Sequence, residues 1–172
     1  MRTPLSSALL ALLLFMAPCQ SMAATSKVVD VTYKNPDSFA DASLNGYGYE
    51  RGADVYVMKN LGSYMEQLGE RYLKPGQQLQ IEVRNIDLAG RYEPWHPNAN
   101  EVRFMRDITW PIIDLHYVLK QNGQVVSESD AQVTDKFYLQ RPGRVTHSDR
   151  LYAEKAMLND WFRNQFASGG KQ

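Results

Sequence analysis

Cysteine is nearly missing from this chain. Of 172 residues only Cys19 is a cysteine, and it lies in an N-terminal stretch that reads as a removable leader. Without that stretch there is no disulfide scaffold and no thiol chemistry, even in an oxidising compartment. Histidine is almost as scarce: His96, His116 and His147 are the only three. Their wide separations match no local metal-ligand spacing, so no metal and no other cofactor is expected. Net charge is missing too, because 19 Lys and Arg balance 19 Asp and Glu. That balance excludes the basic surface on which nucleic acid binding rests. Neither a Gly-x-Ser-x-Gly elbow nor a phosphate-cradling glycine loop occurs, which removes two large enzyme classes.

Long apolar runs are limited to one, from Leu5 to Met16. It follows the basic Arg2 and precedes Ser21-Met22-Ala23-Ala24, small residues suited to a signal peptidase. Such a run is too short to span a bilayer, and its flanks are those of a cleaved export signal. Residues 1–24 are therefore expected to be removed and the remainder to be periplasmic. Pro18, immediately before Cys19, argues against lipid anchoring at that cysteine, since proline's fixed φ suits a peptidase cleft poorly. Cleavage leaves 148 residues carrying 18 Lys and Arg against 19 Asp and Glu. No transmembrane segment remains. That length predicts one domain over residues 25–168, with 169–172 as a flexible tail.

What is present is a succession of clear periodicities. Val29, Val31 and Tyr33 alternate with polar neighbours and predict a strand over Val28–Tyr33. Asp41 to Asp54, rich in Gly, Ser, Asn and Tyr, reads as a loop. Val57, Leu61, Met65, Leu68 and Tyr72 then recur at three and four residues and predict a helix from Val55 to Leu73. Gly62 and Gly69 weaken its propensity, so packing must hold it. Leu79, Ile81 and Val83 alternate with Gln80, Glu82 and Arg84, a strand with one wet face. Val102–Thr109 reads as a further strand, and Ile113, Leu115, Tyr117 and Leu119 as the inward face of the next. Asn122-Gly123 supplies a tight hairpin turn, and Val125–Val133 is its returning strand. A last helix is expected to begin near Thr146 or Ser148, with Leu151, Lys155, Leu158, Phe162 and Phe166 on one face. The fold class is thus α+β. A mostly antiparallel sheet of four to five strands carries two helices on one face, in strand–helix–strand–strand–strand–helix order.

The densest chemistry lies in Asn85–His96. Asp87 and Glu93 could serve as the acid–base pair of a glycoside-type hydrolase. Arg91, Trp95 and His96 are candidate binding residues beside them, Trp95 and Tyr92 being suited to stacking on a sugar. The simpler expectation is structural: Asp87 bonds backbone N–H groups in an Asx-type turn, Gly90 supplies a positive φ, and Trp95 covers a core edge. Arg103, Arg106 and Trp110 form a second candidate cluster, whose charges cross-strand ion pairs would explain. Tyr47, Tyr49 and Tyr56 could form an aromatic surface. His116 falls on the polar face of the sheet, where an ordinary hydrogen-bonded histidine is expected.

The chain resembles the exported proteobacterial family filed as domain of unknown function 3016. Val29-Asp30-Val31-Thr32-Tyr33 with Asn35-Pro36, and Leu79-Gln80-Ile81-Glu82-Val83, carry the resemblance. So do Asp87-Leu88-Ala89-Gly90 with Glu93-Pro94-Trp95, Ile108-Thr109-Trp110-Pro111, and Tyr152 through Phe162. The resemblance implies an exported single-domain protein and assigns no catalytic residue. A non-enzymatic binding or envelope accessory module, meeting a periplasmic protein or a small ligand, is the leading expectation. The hydrolase using Asp87 and Glu93 is the alternative, and a lipid-carrying module would need an apolar cavity.

Overall fold

The computed structural model describes residues 27–45, 52–93, 95–96, 102–142 and 148–167. Alternating apolar residues give β1 (Val29–Tyr33), β2 (Gln77–Asp87), β5 (Ile112–Gln121) and β6 (Gln124–Thr134), hydrogen-bonded in the order β1-β2-β5-β6. β1 and β2 run parallel and the other two pairings are antiparallel. The parallel pair needs a crossover, and α1 (Val55–Tyr72) supplies it. β1 and β6 are the edges of this four-stranded sheet.

The expected fifth strand is real but short and lies elsewhere. Of Val102–Thr109 only β4 (Arg103–Phe104) is extended, and it pairs with β3 (Arg91–Tyr92) in a separate two-stranded sheet. The chain bends away after Phe104 because Thr109 N–H donates back to the Arg106 carbonyl at 3.1 Å. The hairpin turn is as its sequence predicts, with φ of 51° at Asn122 and 84° at Gly123.

One face of the sheet is apolar. Leu79, Ile81 and Val83 of β2 and Ile113, Leu115, Tyr117 and Leu119 of β5 are buried in one core with Val57, Leu61, Met65 and Leu68 of α1. The glycines of α1 find their reason here. A Cβ on Gly69 would stand 1.9 Å from Val29 Cγ2, so only glycine lets the helix lie this close to β1.

The last helix starts later than its sequence suggests. α2 spans Tyr152–Phe162 and passes into a π-helical turn over Arg163–Ala167. Thr146 lies outside the described residues, and Ser148 precedes the helix without belonging to it. Asp149 makes the turn instead, its Oδ1 accepting the Leu151 N–H at 2.9 Å. Leu151, Leu158, Phe162 and Phe166 point into the core, but the next inward place belongs to Glu154 rather than Lys155. Lys155 is half-buried, pairing with Asp149 at 2.7 Å, its ammonium 5.8 Å from the Tyr64 ring centroid. Trp161, Phe162, Phe166 and Tyr117 meet edge to face, with centroids 5.2 to 5.8 Å apart.

The opposite face is polar and closed by its own pairs. His116 has Nδ1 2.7 Å from Asp130 and Nε2 3.2 Å from Glu128. Arg84 donates to Glu82 and Asp130, both at 2.8 Å. His116, with Arg84 beyond it, holds the Asp130 carboxyl below the ordinary carboxylate range.

Candidate functional site

The topology sends the described loops between main elements, other than the turns after α1 and β5, to one end of the sheet. β1, β2 and β6 finish there, and β5, α1 and α2 begin there. Loops on a rigid scaffold are the usual place for function, and open sheets bind at the carboxyl ends of their parallel strands.

At the centre stands the Asp87-Leu88-Ala89-Gly90 turn. Leu88 N–H donates to the Asp41 carbonyl and Gly90 N–H to the Thr109 carbonyl, both at 2.8 Å. Gly90 has φ of 78°, and a Cβ there would lie 2.6 Å from Met105 Sδ and 2.7 Å from the Phe104 carbonyl oxygen. Glycine is required twice over, by conformation and by space.

Arg103 holds this turn. Its side chain is only 11% exposed, and its guanidinium donates to the carbonyls of Leu88, Ala89 and Gly90 at 2.7 to 3.1 Å. Nη2 also donates to Asp41 Oδ2 at 2.7 Å, and the cation lies 5.3 Å from the Tyr92 ring centroid. Arg91 reaches the same aspartate at 3.3 Å, the Gly90 carbonyl at 2.8 Å and Asp87 Oδ2 at 2.9 Å. Asp41 therefore sits between two guanidiniums.

Asp87 is correspondingly not the Asx turn its sequence suggests. Its carboxylate meets the Arg91 side chain rather than a backbone N–H, because the positive-φ turn at Gly90 folds Arg91 back over it. Glu93 has a different arginine. Arg106 Nε and Nη2 donate one bond to each carboxylate oxygen at 2.7 Å, and His96 Nε2 stands 3.0 Å away. Hydrogen bonding to Arg106 holds the Glu93 carboxyl below the ordinary range, reinforced by the charges of Arg106 and His96. A general acid needs the opposite shift.

The remaining candidates divide. His96 stacks on Phe104 with centroids 4.7 Å apart. Trp110 is half-buried and carries the Lys136 ammonium 5.3 Å from its ring centroid. Trp95 is 67% exposed and covers no core edge. Tyr56 is exposed at the start of α1, whereas Tyr47, Tyr49 and His147 lie outside the described residues. No cluster of His, Cys, Asp and Glu suited to a metal occurs among the described residues.

Four contributors had gone unnoticed. Asp41 looked like any loop aspartate. Tyr138 is fully buried and donates its hydroxyl to the Arg106 carbonyl at 2.7 Å. Arg150 donates from Nη2 to the Leu44 carbonyl and to Tyr92 Oη. Glu154 is 2% exposed; its Oε1 accepts the Ala89 N–H at 2.8 Å, and Oε2 is buried without a partner. Burial pushes its pKa up, only partly opposed by the Ala89 N–H and the Arg103 charge. This one left a trace in the sequence: a carboxylate three residues after Leu151 and four before Leu158, on the apolar stripe.

Ten large apolar side chains are exposed among the described residues. Seven belong to this end: Val55, Tyr56, Trp95, Val102, Met105, Ile108 and Phe137. Two adjoining hollows open between them, of about 230 and 350 Å³, sharing Leu44 and Arg150.

The family model described as "protein of unknown function (DUF3016)" matches residues 27–164, and the chain belongs to that family. No curated protein and no solved structure matches it.

Proposed function

We propose that this member of the DUF3016 family is an exported, periplasmic, non-enzymatic binding module, and that its recognition surface is the loop end of the sheet. The observation that carries the reading is the unequal distribution of exposed apolar groups. Among the described residues, seven of the ten lie at the end where a clamp of arginines fixes the loops. Apolar side chains cost free energy when left in water, and a concentration of them on a rigid platform marks a contact surface. Three carboxylates at that end are committed to structure: Asp87 to Arg91, Asp41 to Arg103, Glu93 to Arg106. Such pairing favours a scaffold over the hydrolase reading, which draws support from no distance or pKa direction at Asp87 and Glu93. Export rests on the leader pattern of residues 1–24.

The test has two parts. Mass measurement of the protein recovered from the periplasm should give a chain starting at Ala24 or Thr25, and a lipid-modified product beginning at Cys19 would overturn soluble export. Photo-crosslinking residues placed at Ile108 and Phe137 should then trap a defined partner or ligand in cells, while one at Val126, at the hairpin end, should not. Equal labelling from all three positions would sink the assignment of the surface.

A further inference from the structure

We infer that the paired hollows at the loop end form a site for a small amphiphile bearing one carboxylate, with Arg150 as its counter-charge. The inference rests on the loop end being the recognition surface and names what that surface takes. Its basis is an accounting of charge around the groove. Asp54, on one wall, spends Oδ2 on Ser43 Oγ, the Leu44 N–H and Asn45 Nδ2, at 2.9 to 3.2 Å. Asp149, on the other, accepts from Leu151 N–H and Lys155 Nζ. Arg103 is consumed by Asp41 and three carbonyls of the turn.

Arg150 differs from all of these. It pairs with no carboxylate among the described residues, and its described bonds use one nitrogen, Nη2. Among the described residues nothing accepts from Nε or Nη1, and the guanidinium stands where the two hollows meet. A planar guanidinium matches a carboxylate, which can take two of its N–H groups at once. A single guanidinium beside Asp54 and Asp149 limits the ligand to one negative charge; a phosphate dianion would face both acids with a single counter-charge. Apolar groups line both hollows beside these charges, Leu44, Ala89, Met105 and Ala153 on one side and Val55 and the Tyr56 ring on the other, with Asn45 and Tyr152 completing the walls. Concave apolar walls with one fixed polar anchor orient a ligand by its head and hold it by its body.

Octanoate, octanol and octyl phosphate separate head from body. Titrated into the isotope-labelled mature protein, octanoate should shift the amide signals of Leu44, Tyr56 and Ala153. Octanol and octyl phosphate should each bind more weakly, by roughly tenfold. Arg150→Gln should weaken octanoate by a similar factor and leave octanol unchanged. Arg150 also ties down Leu44, so Met105→Glu serves as the second variant. It adds a negative wall at a side chain 38% exposed, keeps Arg150, and should lower octanoate affinity more than octanol affinity. Equal binding of octanoate and octanol, or shifts confined to the polar sheet face, would overturn the site. Failure of octanoate while Ile108 and Phe137 still crosslink in cells would overturn the ligand class and leave the recognition surface standing. Octanoate binding in the absence of those crosslinks would support the site and remove only the wider contact surface.

Discussion

The two ends of this sheet are held by different physics. Away from the loops, Tyr117, Trp161, Phe162 and Phe166 fill the space between sheet and α2 with rings packed edge to face. At the loop end the filling is ionic: Arg103 against backbone carbonyls and Asp41, Arg91 against Asp87, Arg106 against Glu93. Dispersion and burial are non-directional and tolerate repacking, whereas guanidinium bonds fix angles as well as distances. The aromatic end supplies stability; the ionic end supplies a set geometry for the loops.

The comparison can be broken most forcefully at Phe162, which is wholly buried. Phe162→Ala should cost about 3–5 kcal/mol in denaturant melts, and Trp161→Ala less, since that ring is half-buried. The reverse ranking would show that the aromatic end is held differently. Arg103→Ala comes next, at about 2–3 kcal/mol, because it leaves the Ala89 carbonyl without its guanidinium donor and Asp41, Leu88 and Gly90 with Arg91 in place of two guanidiniums. Amide exchange should quicken most at Leu88 to Gly90, and uniform quickening would mean that the clamp is not local.

Glu154 sharpens the contrast through pH. Its folded pKa is raised, so its contribution is complete below the ordinary carboxylate range and is lost as pH rises through the folded value. Wild-type stability should therefore fall over that interval, and Glu154→Gln, which keeps an acceptor for the Ala89 N–H, should remove the slope. Glu154→Ala should cost about 2 kcal/mol, leaving that N–H unpaired. A slope that survives in Glu154→Gln would assign it to other groups. The smallest effect belongs to Asp87. Its partner Arg91 is 40% exposed and retains the Gly90 carbonyl and Asp41, so Asp87→Asn and Asp87→Ala should each cost about 1 kcal/mol or less. A loss above that in the alanine variant alone would restore the Asx turn.

The same contrast explains what could be read in the chain beforehand. The aromatic end follows from period: Leu151, Leu158, Phe162 and Phe166 recur on one helical face, and Ile113 to Leu119 alternate. The hairpin follows from Asn122-Gly123, whose backbone preference is local. The ionic end has no period. Arg103 looks like one more charge in a strand-like run until the fold brings Asp41 to it from 62 residues away. Asp87 and Glu93 are six residues apart and read as a pair, yet β3 and β4 hand them to different arginines. Backbone carbonyls, the chief partners of Arg103, are identical in every sequence and announce nothing. The sequence names Arg91, Arg103 and Arg106 as candidates and a positive φ at Gly90, but not their partners, and Glu154 is passed over for its neighbour Lys155.

The outer strand β6 has one further consequence. It is an edge eleven residues long, and unpaired edges recruit further strands. A second copy approaching antiparallel and centred on Ser129 would bring Glu128 of each chain opposite Asp130 of the other, on the same face. Their side chains are 56% and 70% exposed, so four carboxylates would meet with only His116 and Arg84 of each chain beside them, and like charges directly opposite destabilise a ladder. In a concentrated compartment the strand thus acts as a terminator of growth, and the sheet ends at four strands instead of lengthening into a ribbon of many copies.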